Sequence, residues 1–193
     1  MASRTTPERL HAVHRPRADL TGILLVGGRS SRFGSPKIHA VVDGDTLAER
    51  GWRMLAAACK YCLAVGKGDE MLPFPVLADG VDERAPIHGL VAGLRAAPTD
   101  VVVVLPVDCP LMTVEALHVL ADDCLDAAIT ESGPLPGAYR KTALRAFDGN
   151  ELSIRRALGV LQVAIVPLDR HLLLNVNSPE DLGRLRSLAS VGT

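Results

Sequence analysis

The 193-residue chain predicts an α/β fold: a single domain with a mostly parallel open sheet and helices on both faces. Three observations carry this prediction. Short apolar runs of strand length alternate with stretches of helical character along the chain. One of those runs, Val101 to Val107, is nearly all β-branched and apolar, the mark of a strand buried on both faces of a parallel sheet. Another, Gly22-Ile23-Leu24-Leu25-Val26, breaks directly into a loop that opens on Gly27-Gly28. The length suits one domain with a sizeable core.

Residues 1–20 mix Arg4, Arg9, Arg15 and Arg17 with Pro7 and Pro16 and lack a sustained apolar period, so they are expected to form a flexible tail, with the domain spanning 21–193. After the first strand and its loop, Ile38 to Asp43 reads as extended and Gly44-Asp45 as a turn. Thr46 can cap a helix through Trp52 and Leu55 to Cys59, with Glu49 at the capping-box position. Tyr61 to Val65 and Val76-Leu77 are short strands followed by polar loops. Pro86 to Ala97 is a helix of small residues stopped by Pro98, and the buried strand at Val101 to Val107 closes on Asp108-Cys109-Pro110. Thr113 caps a helix to about Asp122. Ala127 to Thr130 and Leu135 to Tyr139 are strands around the Gly133-Pro134 turn, Ser153 to Leu161 a helix, Val163 to Val166 and Leu172 to Val176 strands, and Pro179 to Leu188 the last helix.

In open α/β sheets ligands bind outside the carboxyl ends of the strands. The expected crevice therefore gathers the loop after Val26, the loop after Leu77, Asp108 after Val107 and Asn177 after Val176. The segment Gly27-Gly28-Arg29-Ser30-Ser31-Arg32-Phe33-Gly34-Ser35-Pro36-Lys37 has the makings of a phosphate cradle. Paired glycines bring backbone N–H groups close to an anion, and Arg32 and Lys37 add charge. It fits neither the dinucleotide fingerprint, whose glycines are separated, nor the Walker pattern, whose lysine runs straight into Ser/Thr and a helix. A triphosphate needs amide donors, cations and a metal held by a carboxylate. Gly27, Gly28, Arg32, Lys37 and Asp108 supply these, and Asp108 suits Mg2+, which takes one or two carboxylates and fills its shell with phosphate oxygens and water. Such an assembly supports transfer at phosphorus by positioning and charge stabilisation, without a covalent nucleophile. Asp79 reads as a ligand contact or a turn residue with an Asx bond, and His88 as a polar anchor rather than a base. Asn177 or Ser178 can cap the helix that has Pro179 at its first position.

Composition removes other classes. Twenty-one basic residues against twenty-two acidic ones give a net charge of −1, so no basic field draws nucleic acid or a membrane surface. One Trp, two Tyr and three Phe provide few stacking platforms for single strands. No apolar stretch reaches the roughly 18 residues of a membrane span and no signal-type segment opens the chain, so a cytoplasmic location is expected. Of the four cysteines, Cys59 and Cys62 form a CxxC without a second pair at zinc spacing, where a helix runs into a strand, so ordinary buried thiols are expected.

Four segments resemble the molybdenum cofactor guanylyltransferase family, and the likeness covers almost all of Thr21 to Leu188. They are Leu25-Val26-Gly27-Gly28 with Arg32, Gly34 and Lys37; Pro86-Ile87-His88-Gly89-Leu90; Pro106-Val107-Asp108-Cys109-Pro110; and Asn175-Val176-Asn177-Ser178-Pro179-Glu180-Asp181-Leu182. The resemblance implies a Rossmann-like nucleotidyltransferase fold and an Mg2+-dependent enzyme that joins GMP from GTP to molybdopterin and releases pyrophosphate. It implies nucleotide contacts from Leu25, Val26, Gly27, Gly28, Lys37, Asp79 and Asp108, and a metal on Asp108. Catalytic roles fall to Lys37, Asp108 and Arg32, and acceptor contacts to Asn175 and Asn177. Transient contact with other proteins of cofactor biosynthesis or with molybdoenzymes is also implied. The chain departs from the family with Val26 for Ala, Phe33 for Met, Pro36 for Asp, and Gly66-Lys67 where an Asn and Arg are usual. The last change removes a base or ribose contact. The alternatives are cytidylyl transfer to the same cofactor or to a polyol or sugar phosphate, and a non-catalytic nucleotide-binding module.

Overall fold

The computed structural model describes residues 15–27, 36–69, 71–83, 85–147 and 152–190. Strand β1 (Arg17–Leu25) is the central element, and its last six residues are buried because strands cover both its edges and helices both its faces. It begins inside the stretch expected to be tail. Arg17 is held by Asp19 at 2.7 Å and by Asp122, and these contacts give residues 17–20 a reason to order that their apolar content does not.

A 3-10 turn, Lys37–His39, interrupts the stretch expected to be extended. β2 (Val41–Val42) and β3 (Asp45–Thr46) then form a small hairpin, turning at Asp43 (φ 52) and Gly44 (φ 87), one residue earlier than the sequence suggests. Two consecutive positive φ values are what a tight two-residue hairpin turn demands. Thr46 caps α1 (Leu47–Ala58) in a full capping box with Glu49. β4 (Cys59–Gly66), β5 (Val76–Ala78), α2 (Pro86–Ala96) and β6 (Val101–Pro106) follow, with Pro86 at the start of its helix, where the missing N–H has no intrahelical partner to lose. Thr113 caps α3 (Val114–Asp122), and β7 (Ala127–Thr130) and β8 (Gly133–Arg140) come next. α4 (Ile154–Ala157), β9 (Val163–Val166) and α5 (Pro179–Ser190) complete the order.

The seven-stranded sheet has the order β5-β4-β1-β6-β8-β7-β9. β5, β4, β1 and β6 run parallel, so their carboxyl ends share one edge. β8 is antiparallel to both neighbours because the connection from β7 is a two-residue turn, too short for a crossover. α1 and α3 cover one face with Leu47, Leu55, Leu117 and Leu120, and α2 and α4 the other with Ile87, Leu90, Leu94 and Ile154. Among the described residues no helix is long and apolar enough to cross a membrane.

Two expected elements take other forms. The helix at Ser153 to Leu161 holds only through α4 before tightening to a 3-10 turn, Leu158–Val160, where Gly159 and Val160 are poor helix formers. Leu172 to Val176 is not a strand. Asp169 accepts the N–H of His171 and starts a 3-10 turn, Arg170–Leu173, a local bond that competes with sheet pairing.

Close packing at β8 gives a stability prediction. A Cβ on Gly137 would stand 2.7 Å from the Pro134 carbonyl oxygen and 2.9 Å from that of Ala128, and backbone atoms cannot rotate away. Gly137→Ala should lower unfolding free energy by about 1–3 kcal/mol, as overpacking usually does, read from the midpoint of urea denaturation. An unchanged midpoint would mean that the β7–β8 pairing gives way freely at this position.

Candidate functional site

The carboxyl edge of the parallel strands positions the candidate residues. The ladder continues one residue past β1 and one residue past β6, Val26 donating to Val65 O at 3.0 Å and Val107 to Leu25 O at 3.1 Å. Leu25 and Val26 are buried, and Gly27 is the first residue of the loop to be exposed. Gly28 and Arg32, expected to bind phosphate, lie outside the described residues.

Lys37, on the 3-10 turn that follows the loop, meets Asp108, just past β6: Lys37 Nζ donates to Asp108 Oδ2 at 2.5 Å. Their side chains are only 13% and 19% exposed, so this is a largely desolvated pair, the kind that becomes costly when one partner is removed. The two residues read from sequence as phosphate cation and metal carboxylate thus stand together across 71 positions of chain.

Asp108 is also fixed through its backbone, since its carbonyl accepts from Val176 N at 2.8 Å. The neighbouring Cys109 thiol lies 3.0 Å from Asn175 Oδ1 and 3.8 Å from Asp108 Oδ1. Burial, reinforced by the Asp108 charge, pushes this thiol well above its ordinary range, so it stays S–H and donates. Asn175 therefore joins Asp108. Asn177 does not cap α5: Ser178 Oγ accepts the Asp181 N–H at 3.3 Å, while the Asp181 carboxylate takes the N–H groups of Asn177 and Ser178 at 2.9 and 3.0 Å. These donors, chiefly the Asn177 N–H, hold Asp181 below the usual carboxylate range.

Asp79 is committed to Lys67, whose Nζ lies 3.0 and 2.9 Å from its two oxygens. The same ammonium donates to Val81 O at 2.6 Å and Glu83 O at 2.7 Å. Sequence reasoning had Lys67 only as a departure that removes a contact. Its partners lie 12 to 16 positions on, beyond β5, where no local pattern reveals them. The Nε2 of His88 is buried with no hydrogen-bond partner among the described residues, 3.9 Å from Glu83 Oε2, so it is not anchored at that atom.

Burial pushes the Cys59 thiol up to about 12 and the Cys62 and Cys124 thiols up to about 11, away from the thiolate that redox or metal chemistry requires. Among the described residues no group of three or more His, Cys, Asp or Glu could hold a metal on its own. A metal at this edge would rest on Asp108, with phosphate oxygens and water completing its shell. That all-oxygen donor set suits Mg2+, as it does other hard divalent ions such as Mn2+ and Ca2+.

The MobA-like NTP transferase domain matches residues 22–162 of this chain. A probable molybdenum cofactor guanylyltransferase of Aquifex aeolicus (strain VF5) is 32% identical over 182 residues, 87% of this chain and 90% of the relative. The molybdenum cofactor guanylyltransferase of Xanthomonas euvesicatoria pv. vesicatoria (strain 85-10) is 30% identical over 179 residues, 86% and 93% of the two chains. The solved structure of molybdopterin-guanine dinucleotide biosynthesis protein A from Archaeoglobus fulgidus has the same fold, with a TM-score of 0.74 at 23% identity over 88% of this chain and 98% of that one. With the family model matching residues 22–162 and the Aquifex relative 32% identical over 87% of this chain, the chain belongs to the MobA-like NTP transferase family.

Proposed function

We propose that this protein transfers GMP from GTP to the molybdopterin form of the molybdenum cofactor, in the cytoplasm, with Mg2+ as its metal. The observation that carries this reading is the Lys37–Asp108 pair at the carboxyl edge of β1 and β6, a cation and a carboxylate held where a triphosphate would need both. A phosphate oxygen of the acceptor attacks the α-phosphorus of GTP. The bond from that phosphorus to the bridging oxygen breaks, and pyrophosphate leaves with the electron pair. Lys37 exchanges its carboxylate partner for phosphate oxygens and stabilises the charge that gathers on the leaving group. Asp108, released from that ammonium, would hold the metal, which would supply Lewis-acid neutralisation of phosphate charge. On this reading Leu25, Val26 and Gly27 would contact the nucleotide at the edge of the sheet, Gly28 and Arg32, which lie outside the described residues, would add a further amide and a charge, and Asn175, which accepts from the Cys109 thiol beside Asp108, would contact the acceptor together with Asn177.

The test is pyrophosphate release by purified protein with Mg2+, molybdenum-loaded molybdopterin and each of the four NTPs in turn. Release with GTP above the other three is expected. Preference for CTP would reassign the protein to cytidylyl transfer, and tight GTP binding without release from any acceptor would make it a nucleotide-binding module.

A further inference from the structure

We propose that Lys67 sets nucleobase selection by folding residues 79–83 into one wall of the nucleotide crevice, and that Asp79 is a positioning residue acting through Lys67 rather than a direct nucleotide ligand. This rests on the reading of the edge as a nucleoside triphosphate site. An ammonium has three N–H donors, and Lys67 meets four protein oxygens within 3.0 Å: both of Asp79 and the carbonyls of Val81 and Glu83. Its donors are spent on the protein. Asp79 is spent in the same way, since Oδ1 also accepts the Val81 N–H at 3.2 Å, and its side chain is only 7% exposed. The Asp79 N–H bonds Gly66 O at 2.8 Å, which ties the start of the loop to the end of β4. Among the described residues between Ala78 and α2 there is no regular structure, and Gly80 turns at φ 74. The buried ammonium is the centre around which this loop is folded.

The position of the loop makes it a wall of the base site. With phosphates at Lys37 and Asp108, a nucleoside can extend along the edge in one of two directions. On the β8 side, Asn175 accepts from the Cys109 thiol and the Val176 N–H bonds the Asp108 carbonyl, and the proposed reaction assigns that side to the acceptor. The other direction passes the ends of β4 and β5, where Lys67 and Asp79 stand one and two strand spacings from β1, roughly 5 and 10 Å. A base lying there meets the exposed outer side of residues 80–83, whose course Lys67 dictates.

A double-mutant cycle tests this, with GTP and CTP binding measured calorimetrically in Mg2+ without acceptor. Lys67→Met and Asp79→Asn should each weaken GTP binding about tenfold and shrink the ratio of GTP to CTP affinity, while the double variant stays within about twofold of the worse single one. Lys67→Arg keeps a cation against the buried carboxylate and so preserves the fold. Its planar fork cannot meet the carboxylate and both carbonyls together, and the ratio should still fall. A role in stability alone would lower the melting temperature of these variants and leave the ratio intact, which overturns the proposal, as would additive losses in the cycle. If the unaltered protein binds neither GTP nor CTP, the nucleotide reading beneath the proposal fails with it, a result distinct from binding with additive losses.

Discussion

Asp108→Asn should reduce nucleotidyl transfer about a hundredfold to a thousandfold at limiting Mg2+, because the metal contributes several kcal/mol of transition-state charge stabilisation and each 1.4 kcal/mol is about tenfold in rate. The amide keeps the shape of the carboxylate and its bond to the Val176 N–H runs through the backbone, so the local fold survives. What changes is charge. Lys37, 13% exposed, loses its counter-ion, and the proposed metal site loses its carboxylate. Some loss of thermal stability is expected from the first effect, since breaking a largely buried pair leaves one charge uncompensated. The two effects separate in a Mg2+ titration: loss of the ligand shifts the metal dependence of turnover to higher concentration, whereas an unpaired lysine alone would not. A variant that turns over like the unaltered protein at limiting Mg2+ would remove Asp108 from the metal site.

The parts of this fold legible in sequence are those where a local chemical rule and the tertiary structure agree. Val101–Pro106 reads as a central strand because burial on both faces leaves no place for a polar residue. Thr46 with Glu49, and Pro86 at the start of α2, mark helix starts through bonds formed within one turn. Where structure depends on distant partners, the sequence is silent or misleading. Arg17 belongs to β1 because Asp122, 105 positions away, receives it. Leu172 to Val176 has strand composition, but Asp169 closes a turn on it and Asp108 takes its final N–H.

The candidate site divides in the same way. Asp108 stands out because an acid ending an apolar strand needs a purpose, and Lys37 because it completes a glycine-led loop. That the two meet each other depends on β1 and β6 being neighbours, which neither segment encodes by itself. The Lys67–Asp79 pair likewise needs β4 beside β5. Asp79 was visible as a residue of interest, but whether it faces a ligand or a lysine depends on that strand pairing.

Lys37→Ala should lower turnover about ten- to hundredfold with a smaller effect on GTP affinity. A hydrogen bond to a charged group is worth about 1.5 to 3 kcal/mol, and only the part that strengthens as charge builds on the leaving pyrophosphate accelerates the step. On the proposed reading the amides of the glycine-led loop would hold the same phosphates in the ground state, so binding would have other support and the chemical step less. The structure sharpens this expectation in two ways. First, Lys37 is largely buried against Asp108, unlike a solvated surface lysine, whose loss would leave both turnover and affinity unchanged. Second, its removal frees the Asp108 carboxylate, so the variant should need no more Mg2+ than the unaltered protein, the opposite of Asp108→Asn. Lys37→Arg should restore only part of the rate, because a planar fork does not reproduce a compact charge on a turn that follows directly from Pro36. Steady-state kinetics at saturating and limiting GTP, repeated across Mg2+ concentrations, decide the matter. Unchanged kinetics would take Lys37 out of the site, and a loss confined to affinity would keep it as a binding residue with no part in the departure of pyrophosphate.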